Sequence, residues 1–446
     1  MRKYKSALET ILFILNTIII CICANSYYIM EKYLYTIPIF IVLFIAGNLL
    51  PMYSRQPLPN KKFKICRHGT KCLKIFLVSA SFTVVFNIVT AFMLIPDDWI
   101  KWCIGVAVAI LAEAILFWNG ILSVYCTSIQ LGIKIRILGL IFGMVPVLNL
   151  IMLGKIIRTT TAEINLEWNK YTVNMERKDE KICATKYPVL MIHGVFFRDS
   201  KYFNYWGRIP KELENNGARI FYGEHQSAAS VVDSAAELSE RIKDIVNRNG
   251  CEKVNIIAHS KGGLDCRYAI HKYNLEPYVA SLTTINTPHR GCKFADYLLN
   301  KAPEGLKNKI ADTYNNALRK FGDSNPDFMA AVTDLTSARC EALNKELPNP
   351  VSVFCQSTGS KLNRATGGKF PLNFSYNLVK NFDGYNDGLV GEQSFKWGEN
   401  FAFLSTNGRR GISHGDMIDL NRENIPGFDV REWYVQLVAD LKKRGY

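Results

Sequence analysis

A serine stands at the point where an apolar run of the sequence ends and a helical pattern begins. Residues 256–268 read IIAHSKGGLDCRY, and the serine is Ser260. The residues two before and two after it, Ala258 and Gly262, are both small. A nucleophile elbow requires small residues there, because the backbone at the serine is strained and tightly packed. The pattern predicts a nucleophilic serine, and the alternative is a serine that only caps a helix.

A nucleophilic serine of this type needs a histidine base later in the chain. Three histidines follow Ser260, namely His271, His289 and His414. His271 lies within the helix that starts at the serine and is too local to reach back. His289 follows the next predicted strand and is compatible with a structural role. His414 precedes the last predicted helix, which is where a fold with a nucleophile elbow carries its base, so His414 is the candidate base.

The acid that orients the base has two candidates in one short segment. The sequence DGYNDGLV contains Asp383 and Asp387, and each of them precedes a glycine after a strand-like segment. Asp-Gly pairs are also common in plain turns. Position along the chain prefers Asp387 only slightly, so both aspartates stay open on the residues alone.

Two backbone amides are candidates for an oxyanion hole. One is the amide of Lys261, which follows the serine at the start of a helix, where N–H groups and the helix dipole favour negative charge. The other is the amide of Val195, which follows the strand-ending pair His193-Gly194 in VLMIHGVFF. A plain turn, with His193 packing locally, is the alternative for that pair.

The carboxy-terminal part of the chain alternates between strand and helix patterns. The predicted strands are PVLMIHG, ARIFYGE, KVNIIA, VASLTTIN and VSVFCQS. The predicted helices are SVVDSAAELSERIKDIVNRNG, GLDCRYAIHKY, GCKFADYLL and DVREWYVQLVADLKK. This alternation predicts a mainly parallel sheet with helices on both faces over residues 187–446.

The amino-terminal part has a different composition, dominated by long apolar runs. Five stretches approach the roughly 20 apolar residues that span a bilayer; they cover residues 8–30, 33–52, 73–95, 99–121 and 137–157. A single cleaved signal peptide does not account for five runs. We therefore expect a multi-span α-helical transmembrane anchor over residues 1–158, followed by a charged linker over 159–186.

The basic residues of this part cluster in the amino-terminal tail and in the second and fourth connections between the apolar stretches. These residues are Arg2, Lys3, Lys5, Arg55, Lys61, Lys62, Lys64, Arg67, Lys71, Lys74, Lys134 and Arg136. The positive-inside rule places those segments in the cytoplasm, and five spans then leave the carboxy-terminal domain outside the cell. The fifth stretch contains Gly143 and Pro146, however, and with four spans the domain faces the cytoplasm.

Charge and cysteine content limit the class of partner. The formal net charge is +15, but many of the Lys and Arg residues flank apolar runs. That placement suits anionic lipid headgroups better than nucleic acid, so we expect a membrane and lipid or ester substrates as partners and no nucleic acid. The twelve cysteines are divided evenly between the two halves, and their spacing fixes no disulfide pairing.

The region from residue 187 to 445 resembles the secreted bacterial triacylglycerol lipases of the α/β-hydrolase superfamily. The resemblance rests on YPVLMIHGV, AHSKGGLDCRY, TTINTPHRGCKFAD, NDGLV and SHGDMID. It implies that Ser260 is the nucleophile, His414 the base and Asp387 the acid. It also implies an oxyanion hole made by the amides of Val195 and Lys261.

The same resemblance bears on cofactors and on a lid. The family's catalytic histidine loop is braced by calcium through an aspartate two residues after the histidine, and Asp416 matches that position. The second calcium-binding aspartate of the family has no evident match in SKLNRATGGKFPLN. The chemistry itself requires no organic cofactor. The family's lid helices correspond to residues 301–335.

These observations predict a membrane-anchored serine hydrolase that cleaves carboxylic esters of lipids, a triacylglycerol lipase or carboxylesterase. One alternative is an acyltransferase, thioesterase or amidase that acts on envelope lipids with the same triad. Another is a non-catalytic membrane scaffold on a hydrolase fold. The sequence leaves the natural substrate, the acyl chain length and the oligomeric state open.

Overall fold

The computed structural model of the chain describes residues 2–52, 57–195, 205–226, 228–301, 303–320, 326–370 and 372–446. The chain divides into two units, Met1–Glu176 and Arg177–Tyr446. The described part of the first unit is helical. Its helices are α1 (Arg2–Ala24), α2 (Tyr27–Lys32), α3 (Ile37–Leu49), α4 (Lys61–Thr127), α5 (Gly132–Phe142) and α6 (Leu148–Glu176).

Helix α4 is a helical hairpin and covers the third and fourth predicted spans. Its backbone leaves helical geometry at Asp98 (φ −153°, ψ 73°), two residues after Pro96. The two arms fold back on each other at this point. Ser79 Oγ of the first arm donates a hydrogen bond to Glu113 Oε1 of the second arm at 2.5 Å. The Glu113 carboxyl group thus joins the two arms, as expected of a buried polar residue between packed helices.

The fifth predicted span is not a single helix, which corrects the five-span prediction. Helix α5 ends at Phe142 and α6 begins at Leu148. Between them Pro146 has no amide hydrogen to donate, and Val147 has a positive φ of 68°. The eleven residues of α5 extend about 16 Å, half of the roughly 30 Å hydrocarbon core.

The segment 159–186, predicted as a charged linker, is helical for most of its length. Helix α6 continues without interruption from Leu148 to Glu176. The side chains of Thr160, Glu163 and Ile164 are buried in this stretch. Such packing stabilises a helix where charge alone suggests a linker.

Two helices in the described part of the chain are long and apolar enough to cross a membrane. They are Ala7–Ala24, near the amino terminus, and Lys61–Thr127. The apolar helix Leu34–Leu49 is shorter. Length and composition of this kind are weak evidence for a membrane anchor or a signal sequence.

The second unit is built on a parallel sheet of six strands in the order β2-β1-β3-β4-β5-β6. The strands are β1 (Val189–Ile192), β2 (Ile220–Tyr222), β3 (Val254–His259), β4 (Val279–Ile285), β5 (Phe354–Ser360) and β6 (Asn400–Leu404). The helices are α7 (Ile209–Asn215), α8 (Val231–Asn249), α9 (Lys261–Lys272), α10 (Lys293–Lys301), α11 (Glu304–Lys320), α12 (Phe328–Thr333), α13 (Ser337–Glu346), α14 (Leu372–Asp383), α15 (Glu392–Phe395) and α16 (Val430–Lys443).

Both faces of the sheet are buried. Side chains of a strand alternate between the two faces, so β1 contributes residues to two separate core clusters. Leu190 and Ile192 of β1 lie in one core cluster with residues of α8 and α9. Val189 and Met191 lie in another cluster with residues of α16. A parallel sheet covered on both faces matches the predicted α/β architecture.

Several elements of this unit were not predicted, among them the helices α7, α13 and α15. The edge strand β6 was not predicted, because its five residues NFAFL are only partly buried and give no long apolar run. Helix α14 occupies the segment predicted as strand-like before the two candidate acids. Asp383 is the last residue of this helix and Asp387 follows it, so neither acid follows a strand.

The predicted lid segment, residues 301–335, contains helical structure. Helix α11 and helix α12 lie within it. Residues 302 and 321–325 lie outside the described residues.

Candidate active site

Ser260 has the strained backbone that a nucleophile elbow requires. It lies between the end of β3 and the start of α9, with φ 55° and ψ −132°. Few non-glycine residues adopt such a positive φ, and they concentrate at functional sites. A Cβ atom at Gly262 would lie 2.4 Å from the carbonyl oxygen of His193. The absence of a side chain at 262 therefore permits the start of α9 to approach the residue that follows β1.

His414 and Asp387 form a hydrogen-bonded pair. His414 Nδ1 lies 2.6 Å from Asp387 Oδ2. The amide of His414 also donates to the carbonyl oxygen of Asp387 at 2.9 Å. Asp387 is fully buried and His414 is 7% exposed. The carboxylate accepts the Nδ1 proton, which leaves Nε2 of the imidazole able to accept a proton from a nucleophile.

The Asp387 carboxylate is held by three further donors. Its Oδ1 accepts hydrogen bonds from the amides of Leu389 at 2.9 Å and Val390 at 2.8 Å. Its Oδ2 accepts a hydrogen bond from Asn286 Nδ2 at 2.6 Å. Asn286 follows β4 and also donates to Ser360 Oγ at 2.7 Å. Donors on both oxygens fix the orientation of the carboxylate toward His414.

The other candidate acid and bases lie elsewhere. Asp383 ends helix α14, and Asp387, not Asp383, is hydrogen-bonded to His414. His289 is buried and accepts a hydrogen bond from Arg267 Nη1 at 3.2 Å through Nδ1. Burial and the positive charge of Arg267 lower the pKa of His289 well below its usual value. His289 is therefore a neutral histidine with a structural role, the role with which its sequence position is compatible.

The loop that carries Val195 lies against the nucleophile. A Cβ atom at Gly194 would lie 2.7 Å from Ser260 Cβ. Val195 is the next residue and is buried, while residues 196–204 lie outside the described part. Lys261 is the first residue of α9, and its Nζ is bound to Asp265 Oδ1 at 2.7 Å. The two amides assigned to an oxyanion hole therefore belong to the residue after Ser260 and to the residue after Gly194, which packs against Ser260.

Two residues that the sequence did not single out join these parts. The hydroxyl of Tyr205 accepts a hydrogen bond from the Gly194 amide at 3.0 Å and donates to His259 Nδ1 at 2.7 Å. The His259 ring lies 4.4 Å from the His414 ring, measured between centroids. Because His259 precedes Ser260, this contact brings the base to the end of β3 that carries the serine.

The charge state of His259 follows from its surroundings. Burial, and then the proximity of His414, lower the pKa of His259 well below its usual value. A neutral imidazole accepts the Tyr205 proton at Nδ1. The position of His259 next to the serine was visible in the sequence, whereas nothing in the sequence marked Tyr205 or Asn286.

The residues around Asp416 do not fit the calcium ion that the lipase resemblance implies. Both carboxylate oxygens of Asp416 are hydrogen-bonded to the guanidinium group of Arg410, at 2.6 and 3.0 Å. The described residues contain no group of three or more His, Cys, Asp or Glu side chains that could hold a metal ion. Calcium needs six to eight oxygen ligands, and a guanidinium cation already lies against the one matching carboxylate.

Known proteins resemble this chain in the region that contains the site. The family model described as palmitoyl protein thioesterase matches residues 188–325. A triacylglycerol lipase of Pseudarthrobacter phenanthrenivorans is 33% identical over 179 residues, which cover 37% of this chain and 56% of that protein. The crystal structure of the mature Bacillus licheniformis lipase BlEst2 is 21% identical, with a TM-score of 0.42, over 57% of this chain and 92% of that one.

A longer alignment exists with a yeast protein. Triacylglycerol lipase 2 of Saccharomyces cerevisiae is 30% identical over 275 residues, which cover 56% of this chain and 78% of that protein. The bacterial relative above is covered over little more than half of its length. On the yeast alignment, which spans most of that relative, the chain belongs to the triacylglycerol lipase family.

Proposed function

We propose that the protein is a serine hydrolase that cleaves carboxylic esters of lipids. Ser260 is the nucleophile, His414 the general base and Asp387 the acid that orients it. The observation that carries this proposal is the 2.6 Å contact between His414 and Asp387, together with the strained backbone of Ser260. The lipase names of the relatives support an ester bond as the target.

The reaction proceeds in two halves. Ser260 Oγ attacks the ester carbonyl carbon while His414 Nε2 takes the hydroxyl proton, and the tetrahedral intermediate expels the alcohol, which receives that proton. Water then attacks the acyl-serine, His414 again takes and returns a proton, and the fatty acid leaves. Asp387 keeps the Nδ1 hydrogen bond throughout and stabilises the imidazolium cation.

The negative charge of the tetrahedral intermediate needs donors. The amides of Val195 and Lys261 serve this role, and the start of α9 adds a favourable dipole. Loss of one such donor typically costs about 10²–10³-fold in turnover. The burial of the Lys261 side chain, with Nζ on Asp265, supports a fixed position for its amide.

A chain-length series of esters tests the substrate class. Purified wild type should hydrolyse long-chain acylglycerols, and Ser260→Ala should reduce turnover to background. We further propose that helices within residues 301–335 form a lid over the ester site. Activity confined to short, water-soluble esters would contradict the lipase assignment, and unchanged turnover in Ser260→Ala would contradict the nucleophile.

A thioesterase is the second candidate, because the palmitoyl protein thioesterase model matches residues 188–325. Thioesters and oxyesters use the same nucleophile, base and oxyanion hole. The ratio of kcat/KM for matched palmitoyl thioester and oxyester substrates separates the two. A ratio far above that of the uncatalysed hydrolysis of the same pair would favour the thioesterase.

We also propose that the first unit is a membrane anchor with four crossings. These are α1, the apolar helical segment Leu34–Leu49 that contains α3, and the two arms of α4, while α5 and the start of α6 enter the bilayer from one side and return. Support comes from the break between α5 and α6, and from the exposed apolar residues there, including Met144, which is 93% exposed. Gly139 of α5 approaches Ile156 of α6, as a hairpin requires.

Four crossings put the catalytic unit on the cytoplasmic side, which replaces the earlier expectation of an outside domain. That expectation depended on a fifth continuous span. With a hairpin, Lys134 and Arg136 at its entry and Lys155 and Arg158 at its exit lie on one side, together with the other basic segments. All twelve cysteines are free thiols, which is typical of a reducing compartment.

A membrane-impermeant fluorophosphonate tests the side. It should label Ser260 in permeabilised cells and not in intact cells, with Ser260→Ala as the control for specificity. Equal labelling of intact cells would contradict the cytoplasmic placement.

A further inference from the structure

The loop that carries His414 is closed by an ion pair. Arg410 lies four residues before the histidine and Asp416 two residues after it. Arg410 Nη1 is 2.6 Å from Asp416 Oδ2, and Nη2 is 3.0 Å from Oδ1, so the contact is bidentate. The Asp416 side chain is 4% exposed. Bidentate pairs of arginine and carboxylate fix both distance and orientation.

Further contacts tie this pair to its surroundings. Asp416 Oδ2 also accepts a hydrogen bond from the amide of Ser413 at 2.8 Å, directly before the histidine. Arg410 Nη2 donates to Glu423 Oε2 at 3.0 Å. The carbonyl oxygen of Arg410 accepts a hydrogen bond from the amide of Asn363, after β5, at 3.3 Å. One guanidinium group thus connects the segments before and after the histidine loop.

The surroundings of Arg410 stabilise its positive charge. Burial alone would lower its pKa, but the hydrogen bonds and negative charges of Asp416 and Glu423 outweigh burial, and its pKa is raised. A calcium ion at Asp416 would have to displace this cation or lie beside it. Displacement would leave a partly buried guanidinium without its carboxylate, which is costly.

We propose that Arg410 performs within the chain the bracing role that the lipase resemblance assigns to calcium. Arg410 is accordingly a positioning residue for His414, and catalysis needs no added calcium. The inference rests on the proposed hydrolase function, because the position of His414 affects turnover only where His414 is the base.

Kinetics of the full chain in detergent micelles test the positioning role. Arg410→Ala should lower kcat for a long-chain ester about 10–100-fold with little change in KM, because small displacements of a catalytic group have effects of this size. Added guanidinium ion, far below denaturing concentrations, should restore part of kcat in Arg410→Ala and none in Ser260→Ala. Arg410→Lys, which keeps the charge but loses the fork, should lie between.

A matched control exists in the same network. Lys369 pairs with Glu423 at 2.6 Å but is more than half exposed and does not contact Asp416. Lys369→Ala should leave kcat unchanged. Equal losses in Lys369→Ala and Arg410→Ala, or an unchanged kcat in Arg410→Ala, would overturn the positioning role.

Calcium is tested separately from activity. Wild-type turnover should survive a calcium chelator, and the unfolding temperature of the wild type should not rise with added calcium, since a ligand that binds the folded state raises it. A calcium-dependent rise, or loss of turnover in chelator that calcium restores, overturns the proposal. Absence of any ester turnover in the wild type refutes the proposed function instead, and the calcium titration of the unfolding temperature still decides whether Arg410 occupies the place of the metal.

Discussion

Asp387 and Asp383 have the same local sequence context, since each is an aspartate that precedes a glycine in DGYNDGLV. Position along the chain leaves both open, and the lipase resemblance selects Asp387. In the fold, the hydrogen bond between Asp387 and His414 joins residues 27 positions apart. The serine was predictable from its small neighbours, which reflect a local backbone constraint. Asn286, Tyr205 and Arg410 were not, because their roles depend on partners from distant segments.

Replacement of Asp387 by asparagine tests the acid at the residue scale. The amide cannot accept the Nδ1 proton with the same charge and favours the wrong tautomer of His414, so we expect kcat to fall about 10⁴-fold. Asp383→Asn is the control and should keep near-wild-type kcat in the same ester assay. A larger loss in Asp383→Asn than in Asp387→Asn would reverse the assignment.

Replacement of Tyr205 by phenylalanine tests the link that its hydroxyl makes between the Gly194 amide and His259. The change removes the acceptor of the Gly194 amide, and an unpaired buried donor costs about 1–3 kcal/mol. We expect a roughly tenfold or greater loss of kcat, on the reasoning that displaced catalytic groups react slowly. Tyr434→Phe is the control: among the described residues its buried hydroxyl has no hydrogen-bond partner, so the change should leave kcat intact. Similar kinetics for the two variants would argue against the link.

At the scale of elements, long apolar runs and helical periodicity predicted β1 to β5 and helices α8, α9, α10 and α16. Ser230 caps α8 by accepting a hydrogen bond from the Asp233 amide, and Gly250 ends the helix in a left-handed conformation. Prediction failed for the edge strand β6, where partial burial weakens the pattern, and for helix α14. It also failed for the apolar stretch 137–157, because hydropathy measures composition and not helix continuity.

Gly262→Ala tests the strand–turn–helix element. Its Cβ would lie 2.4 Å from a backbone carbonyl oxygen, which cannot rotate away. Overpacking of this kind costs about 1–3 kcal/mol, so we expect a lower unfolding temperature and a lower kcat. Gly305→Ala in α11 meets no atom within 4 Å and should raise stability by up to about 1 kcal/mol, because alanine favours the helix. Thermal unfolding of both variants beside the wild type would show whether the elbow is as tight as described.

At the scale of the whole molecule, two buried histidines contribute to the pH dependence of stability. The pKa of His259 and that of His289 are both lowered well below 6.5, chiefly by burial. The unfolded chain binds protons at these positions below about pH 6.5 while the folded chain does not. Their contribution to stability is therefore complete above pH 6.5 and is lost as the pH falls.

Between pH 7.5 and 5.5 the two histidines together should reduce the free energy of unfolding by about 2–3 kcal/mol. His289→Gln should remove about half of this pH dependence, whatever its effect on stability at pH 7.5. Unfolding of the wild type and the variant at both pH values measures the difference. An unchanged pH dependence in His289→Gln would show that His289 titrates equally in the folded and unfolded states.

The central claim is that Ser260 is an activated nucleophile, and the identity of the labelled residue tests it most directly. The full-length protein would be treated with a fluorophosphonate, digested, and examined by mass spectrometry for the modified serine. We predict a single adduct on Ser260, formed far more slowly in Asp387→Asn and at the normal rate in Asp383→Asn. An adduct on another serine, or labelling of Ser260 at the same rate in Asp387→Asn as in the wild type, would contradict the account.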